Sequence, residues 1–153
     1  MRRIFFLCLG SNIHPEIHIP AGLALLKKEL NVKKISSIYE TDPVGPTGPS
    51  KFWNLAVAIE TDLNRKQLIA HLRKIEDELG RVRAQDRFAP RTMDIDILPQ
   101  PDYQQLAFTM IPLAEIAPLD KDPQTGKTFR ELAENLKKGS QGFKKISAAQ
   151  SSL

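Results

Sequence analysis

The residues best suited to chemistry are two acids one residue apart, Asp94 and Asp96. They stand in residues 92–98, a short stretch that reads as a strand. Positions i and i+2 of a strand project from one face, so the two carboxylates share a side while Ile95 and Ile97 turn to the core. With no histidine or cysteine beside them, they make a hard oxygen site, suited to Mg²⁺ completed by substrate phosphates. Two acids on a solvated strand face would show the same spacing. Just upstream come Arg81, Arg83, Arg87 and Arg91, so that four arginines and both aspartates fall within sixteen residues. Guanidinium forks match phosphate oxygens. Arginines beside a carboxylate-held cation are what phosphoryl transfer needs, because positioning and charge stabilisation do most of the work. A solvated charged loop is the other reading. A third group, Phe52-Trp53-Asn54, follows a loop at 41–50 stiffened by Pro43, Gly45, Pro46, Gly48 and Pro49. An aromatic with an amide can sandwich and hydrogen-bond a flat heterocycle. Ordinary core packing beside a turn amide explains them as well.

Other chemistries find little support. Residues 45–51 read Gly-Pro-Thr-Gly-Pro-Ser-Lys, but the prolines and the spacing are wrong for a phosphate-cradling P-loop. No Cys/His cluster suits zinc, and His14, His18 and His71 are isolated. The single cysteine, Cys8, leaves no internal disulfide and points to a cytoplasmic protein. At 153 residues, with 41% hydrophobic and 26% charged residues, the composition is that of one globular domain. No apolar run approaches the ~18 residues of a membrane helix. Met1-Arg2-Arg3 and the apolar residues 4–9 imitate a signal peptide. That apolar stretch is shorter than the roughly 7–15 residues such a segment carries, and no small-residue cleavage site follows. It reads as a first strand. The net charge of +4 suits an anionic ligand, though only weakly.

The elements that must position these groups follow from periodicity. Residues 4–9 read as a strand ending at Gly10. Leu23, Leu26 and Leu30 predict a helix over 19–30. The β-branched stretch 32–39 predicts a second strand and 52–61 a third. Asn64 is a candidate N-cap for a helix burying Leu68, Leu72, Ile75 and Leu79, with Gly80 ending it. Residues 112–116 suggest a helical turn and 129–136 a short helix. The order β-α-β-β-α-β predicts an α+β, ferredoxin-like antiparallel sheet with both helices on one face and the other face free for a ligand. A single domain over 1–138 and a partly frayed tail over 139–153 are expected.

Leu9-Gly10-Ser11-Asn12, the loop with Tyr39, Thr41, Pro43 and Gly45, Phe52-Trp53-Asn54, Glu76 with Gly80-Arg81-Val82-Arg83, the run from Arg87 to Leu98, and Pro112-Leu113-Ala114-Glu115-Ile116-Ala117-Pro118 stand in that order. Together they resemble the 6-hydroxymethyl-7,8-dihydropterin pyrophosphokinase family of folate biosynthesis. The run from 76 to 98 is the most specific match. The resemblance implies transfer of the diphosphate of ATP to the hydroxymethyl oxygen of the pterin, with release of AMP. It implies that Asp94 and Asp96 hold two Mg²⁺ ions. Arg81 and Arg91 would meet the transferring phosphates, with Arg83 and Arg87 in the same loop. Phe52 and Phe108 would stack on the two sides of the pterin, Asn54 would bond its edge, and Thr41, Pro43 and Val44 would complete that side. Phe88 stands where the family usually has tryptophan. Glu76 and Ile97 fall to the nucleotide side. ATP and the pterin are the implied partners, with neither nucleic acid nor membrane among them.

The resemblance departs in one place. Family members usually carry a longer segment after the aspartate strand, with a Val-Pro-His stretch and an arginine just before the stacking phenylalanine. Here only residues 99–107 separate Leu98 from Phe108, and Leu106 takes the arginine's place. The missing groups would contact ATP, so a pterin- or nucleotide-binding paralogue with reduced or altered activity is the alternative. An RNA-binding module shares the β-α-β-β-α-β order, but residues 51–59 lack the Gly-aromatic pattern that base stacking uses.

Overall fold

In the computed structural model, residues 2–41, 51–80, 93–137, 143–146 and 150–151 are described. The central strands are β1 (Arg3–Ser11), β2 (Asn31–Ile35), β3 (Tyr39–Thr41), β4 (Phe52–Thr61) and β5 (Asp94–Ile97). The helices are α1 (Pro15–Glu29), α2 (Arg65–Glu78), α3 (Ala107–Ile116) and α4 (Phe129–Lys137). Two short strands, β6 (Lys144–Lys145) and β7 (Gln150–Ser151), complete the sheet. Its order is β5-β1-β4-β2-β7, with β3 on β4 and β6 on β3, and each pairing is antiparallel. Since β2 and β3 both pair with β4, they act as one interrupted strand. The first six elements of the prediction thus form the ferredoxin-like arrangement.

Alternation along the strands sorts the residues into two cores. Leu7 and Leu9 of β1, Leu55, Val57 and Ile59 of β4, and Ile95 and Ile97 of β5 face one way. There they bury Ile19 and Leu26 of α1 and Leu68, Leu72 and Ile75 of α2. The opposite face of β4 carries Ala56 and Ala58, small enough for α3 to lie close. Met110 and Leu113 of α3 and Phe129 and Leu132 of α4 pack there with Phe6 and Cys8. The sheet face expected to be open is therefore half covered by the C-terminal helices. Beyond them it stays uncovered over Gly10, Asn54 and the two aspartates.

Local signals explain the boundaries. Asn64 and Gln67 form a reciprocal capping box at the start of α2, with bonds of 2.8 and 3.0 Å. Gly80 follows the C-terminal end of α2 at φ 81°, a left-handed conformation that a side chain disfavours. Helix α1 starts four residues earlier than its leucine spacing suggests, with Pro15 in the first turn, where a missing N–H costs nothing. The predicted strand over 32–39 is broken at 36–38. There the Ser36 hydroxyl accepts from Ala56 N at 2.8 Å, and Ser37 donates both its N–H and its hydroxyl to Glu115 of α3. Glu115 also accepts from the Tyr39 hydroxyl at 3.2 Å and pairs with Lys145 of β6 at 3.3 Å. Burial and Glu115 push the Tyr39 hydroxyl up to about 12. The described parts of 139–153 pair with the sheet and do not hang free of it.

Candidate active site

A cavity of about 360 Å³ opens where the C-terminal helices leave the sheet uncovered. Strand register builds its floor. Gly10 and Cys8 of β1 lie opposite Asp94 and Asp96 of β5 on one side, and opposite Asn54 and Ala56 of β4 on the other. Both carboxylates therefore line the cavity, as their spacing predicts, while Ile95 and Ile97 are buried in the opposite core. Phe52 and Thr41, paired across β4 and β3, form a second side with Asn54. The Asn54 amide donates to Thr41 Oγ1 at 3.3 Å, which orients it. Gly10 makes room for that amide, because a Cβ at residue 10 would lie 3.0 Å from Asn54 Oδ1. The remaining wall comes from the short stretch after β5, through Leu98, Tyr103, Leu106 and Phe108. Of the two aromatics expected to stack, Phe52 thus stands on β4 and Phe108 on the first turn of α3.

The donor set fits a hard cation. Asp94 and Asp96 offer carboxylate oxygens from one face. The nearby Cys8 thiol is pushed up to about 12 by burial, with Asp96 and Asp94 adding to it, and Thr109 Oγ1 lies 3.8 Å from the sulfur. The two carboxylates make oxygen the main ligand chemistry that the described lining offers. Among the described residues no group of three or more His, Cys, Asp or Glu is placed to hold a metal ion.

Two residues assigned to the nucleotide side do not line this cavity. Glu76 is buried on α2 and its carboxylate accepts the Ile95 N–H at 2.7 Å, gripping β5 between the two aspartates. Ile97 is buried in the α1–α2 core and its carbonyl accepts from Gln100 Nε2 at 2.9 Å. Arg81, Arg83, Arg87, Phe88, Arg91, Pro43 and Val44 lie outside the described residues. Sequence reasoning missed Cys8, Gln100, Tyr103 and Thr109 as lining groups. Cys8 was within reach, since it lies two positions before Gly10 on the same strand face. Tyr103 and Thr109 arrive through a turn and a helix whose course the sequence did not reveal.

Fold and cavity together place a carboxylate pair on one strand beside two aromatic rings and an amide in a cavity of small-molecule size. The chain matches the model of the 7,8-dihydro-6-hydroxymethylpterin-pyrophosphokinase family over residues 6–118, and it belongs to that family. It is 39% identical to the 2-amino-4-hydroxy-6-hydroxymethyldihydropteridine pyrophosphokinase of Bacillus subtilis, over 86% of this chain and 89% of that one. The enzyme of the same name from Synechocystis is 34% identical, over 84% and 73%. That from Pseudomonas aeruginosa is 35% identical, over 74% and 80%.

Proposed function

We infer that this cavity is where the chain performs its family's reaction, the ATP-dependent transfer of diphosphate to the hydroxymethyl group of 6-hydroxymethyl-7,8-dihydropterin in folate biosynthesis. The observation that carries the residue-level reading is the placement of Asp94 and Asp96 in one cavity with Phe52, Asn54 and Phe108. The pterin ring lies in the slot between Phe52 and Phe108. Its polar edge meets the Asn54 amide, which Thr41 holds in place. With Pro43 and Val44 completing the pterin side, the hydroxymethyl group is directed toward the aspartates.

Asp94 and Asp96 would hold Mg²⁺, two ions in our reading, and the metal would supply positive charge against the phosphates of ATP. Glu76 steadies the strand between them through the Ile95 N–H. By the resemblance, Arg81 and Arg91 would meet the transferring phosphates, Arg83 and Arg87 would contact the nucleotide, and Phe88 would belong to the pterin side. The oxygen of the hydroxymethyl group attacks the β-phosphorus as the bond to the α-phosphate oxygen breaks. AMP leaves and the hydroxyl proton passes to solvent. Among the described residues no helix is long and apolar enough to cross a membrane, and the lone cysteine supports a cytoplasmic setting.

Leu106 favours a second reading. It lines the cavity where the resemblance leads one to expect an arginine, so a paralogue that binds both ligands but turns over slowly fits that feature. Mixing enzyme with ATP, Mg²⁺ and the reduced pterin in a single turnover separates the two. Stoichiometric AMP and pterin diphosphate support the enzyme, and binding without AMP supports the paralogue.

A further inference from the structure

The wall of the cavity formed by residues 98–108 contains no strand and only one short turn, Tyr103–Gln105, before α3 begins. Such a stretch has little backbone pairing of its own, so something else must hold its shape. Tyr103 is buried, and its ring meets Phe129 of α4 edge-on at 6.4 Å. Its hydroxyl donates to Asp122 Oδ1 at 2.6 Å. Gln104 donates its Nε2 to the same carboxylate, at 3.2 and 3.3 Å.

Asp122 is fully buried and does not line the cavity. It belongs to the turn between α3 and α4, where Lys121 and Thr128 form a bridge. Its N–H donates to the Lys127 carbonyl at 2.9 Å, and its own carbonyl accepts from Gly126 N at 2.8 Å. Thr125 N donates to Oδ2 at 2.8 Å. An ionised carboxylate only accepts, and here its donors come both from the turn and from the cavity wall. Losing one donor leaves buried acceptor capacity unmet, so the network resists displacement of the wall.

We propose that Asp122 is a positioning residue. Through Tyr103 it holds the wall of residues 98–108 in register with the aspartate strand, and so governs affinity for the flat heterocyclic substrate and not the rate of transfer. The chemistry of the wall decides between these. Leu98, Gln100, Tyr103, Leu106 and Phe108 present no ionised group to the cavity. They meet the ring alike before and during transfer, and such uniform binding appears in KM while kcat stays the same. The proposal rests on the cavity being the pterin site.

The test compares Tyr103→Phe, which keeps the ring and removes the hydroxyl, with Leu132→Ala, which loosens the same core without touching these hydrogen bonds. Thermal melting establishes that both are folded. In Tyr103→Phe, KM for the reduced pterin should rise about five- to tenfold with kcat within about twofold of the parent. Leu132→Ala should lower the melting temperature and leave KM alone. Amide hydrogen exchange without ligands gives a readout independent of activity, and Tyr103→Phe should exchange at least about tenfold faster around residues 106–110. Unchanged exchange in that variant overturns the proposal, as does a fall in kcat with KM intact, or an equal rise of KM in Leu132→Ala. If the parent protein makes no AMP, the substrate reading fails, and exchange alone decides whether Asp122 positions the wall.

Discussion

Replacing Asp122 by Asn should destabilise the protein by an amount that depends on pH. Burial by itself would raise this carboxyl, but the donors Tyr103, Thr125 and Gln104 outweigh it and bring it from 3.8 down to about 2. A depressed folded value means that the charged form is favoured in the native state. Its stabilisation is complete above the unfolded value near 3.8 and is lost as pH falls through about 2. The drop corresponds to about 2 kcal/mol. Asn adds a second penalty, because its NH₂ must point at one of the donors that the carboxylate accepted. For a chain of this size, 1 kcal/mol moves the melting temperature by roughly 2–4 °C. The variant should therefore melt about 4–8 °C below the parent at pH 7, with somewhat more from the misdirected amide. Circular dichroism melts of both proteins from pH 7 to pH 2.5 read the difference directly, since acid effects shared by the two cancel. The gap should hold constant down to about pH 4.5 and then narrow. A gap that stays constant to pH 2.5, or no gap at pH 7, would refute the charge-based account of this network.

The other expectations concern the cavity. Phe52→Ala should weaken binding of the reduced pterin, by about 0.5–1.5 kcal/mol beyond the lost contact area, and leave ATP binding intact; calorimetric titration of each ligand checks this. Gly10→Ala should push the Asn54 amide off its bond to Thr41, because the new Cβ would lie 3.0 Å from Oδ1. Pterin KM should rise several-fold, and an unaltered KM would show that the amide has room to adjust. Cys8, held protonated by burial, should resist iodoacetamide at pH 8 in the native protein and react once it is unfolded, as mass spectrometry would read.

The sequence was most informative where periodicity and side-chain chemistry agree. Asp94 and Asp96 alternate with Ile95 and Ile97, so their shared face could be read without coordinates, and the cavity has both acids on it. Asn64 and the Leu68–Leu72–Ile75 spacing gave α2 for the same reason. Helix α3 was harder. Met110, Ile111, Pro112 and Leu113 are all buried, because sheet and α4 enclose it, and a helix apolar on nearly every side has no moment to read. Pro112 further disguised it, since proline usually marks a boundary. Glu115 and Asp122 look like surface acids in the sequence. Their partners, Ser37 and Tyr39 for one and Tyr103 for the other, are distant in the chain, and only the packed structure joins them. The strands β6 and β7 are two residues each, too short for any period to show.

If this cavity transfers diphosphate, Asp94 and Asp96 stand at its reacting side. The most direct measurement is AMP release from ATP, with Mg²⁺ and 6-hydroxymethyl-7,8-dihydropterin, by the parent protein and by the double variant Asp94→Asn, Asp96→Asn. Both side chains keep their size, so the variant should melt close to the parent and still bind the pterin. The parent should form AMP and the variant should lose at least about 10³-fold, since the charge that neutralises the phosphates would have no anchor. Near-parental AMP release by the folded variant would contradict that placement.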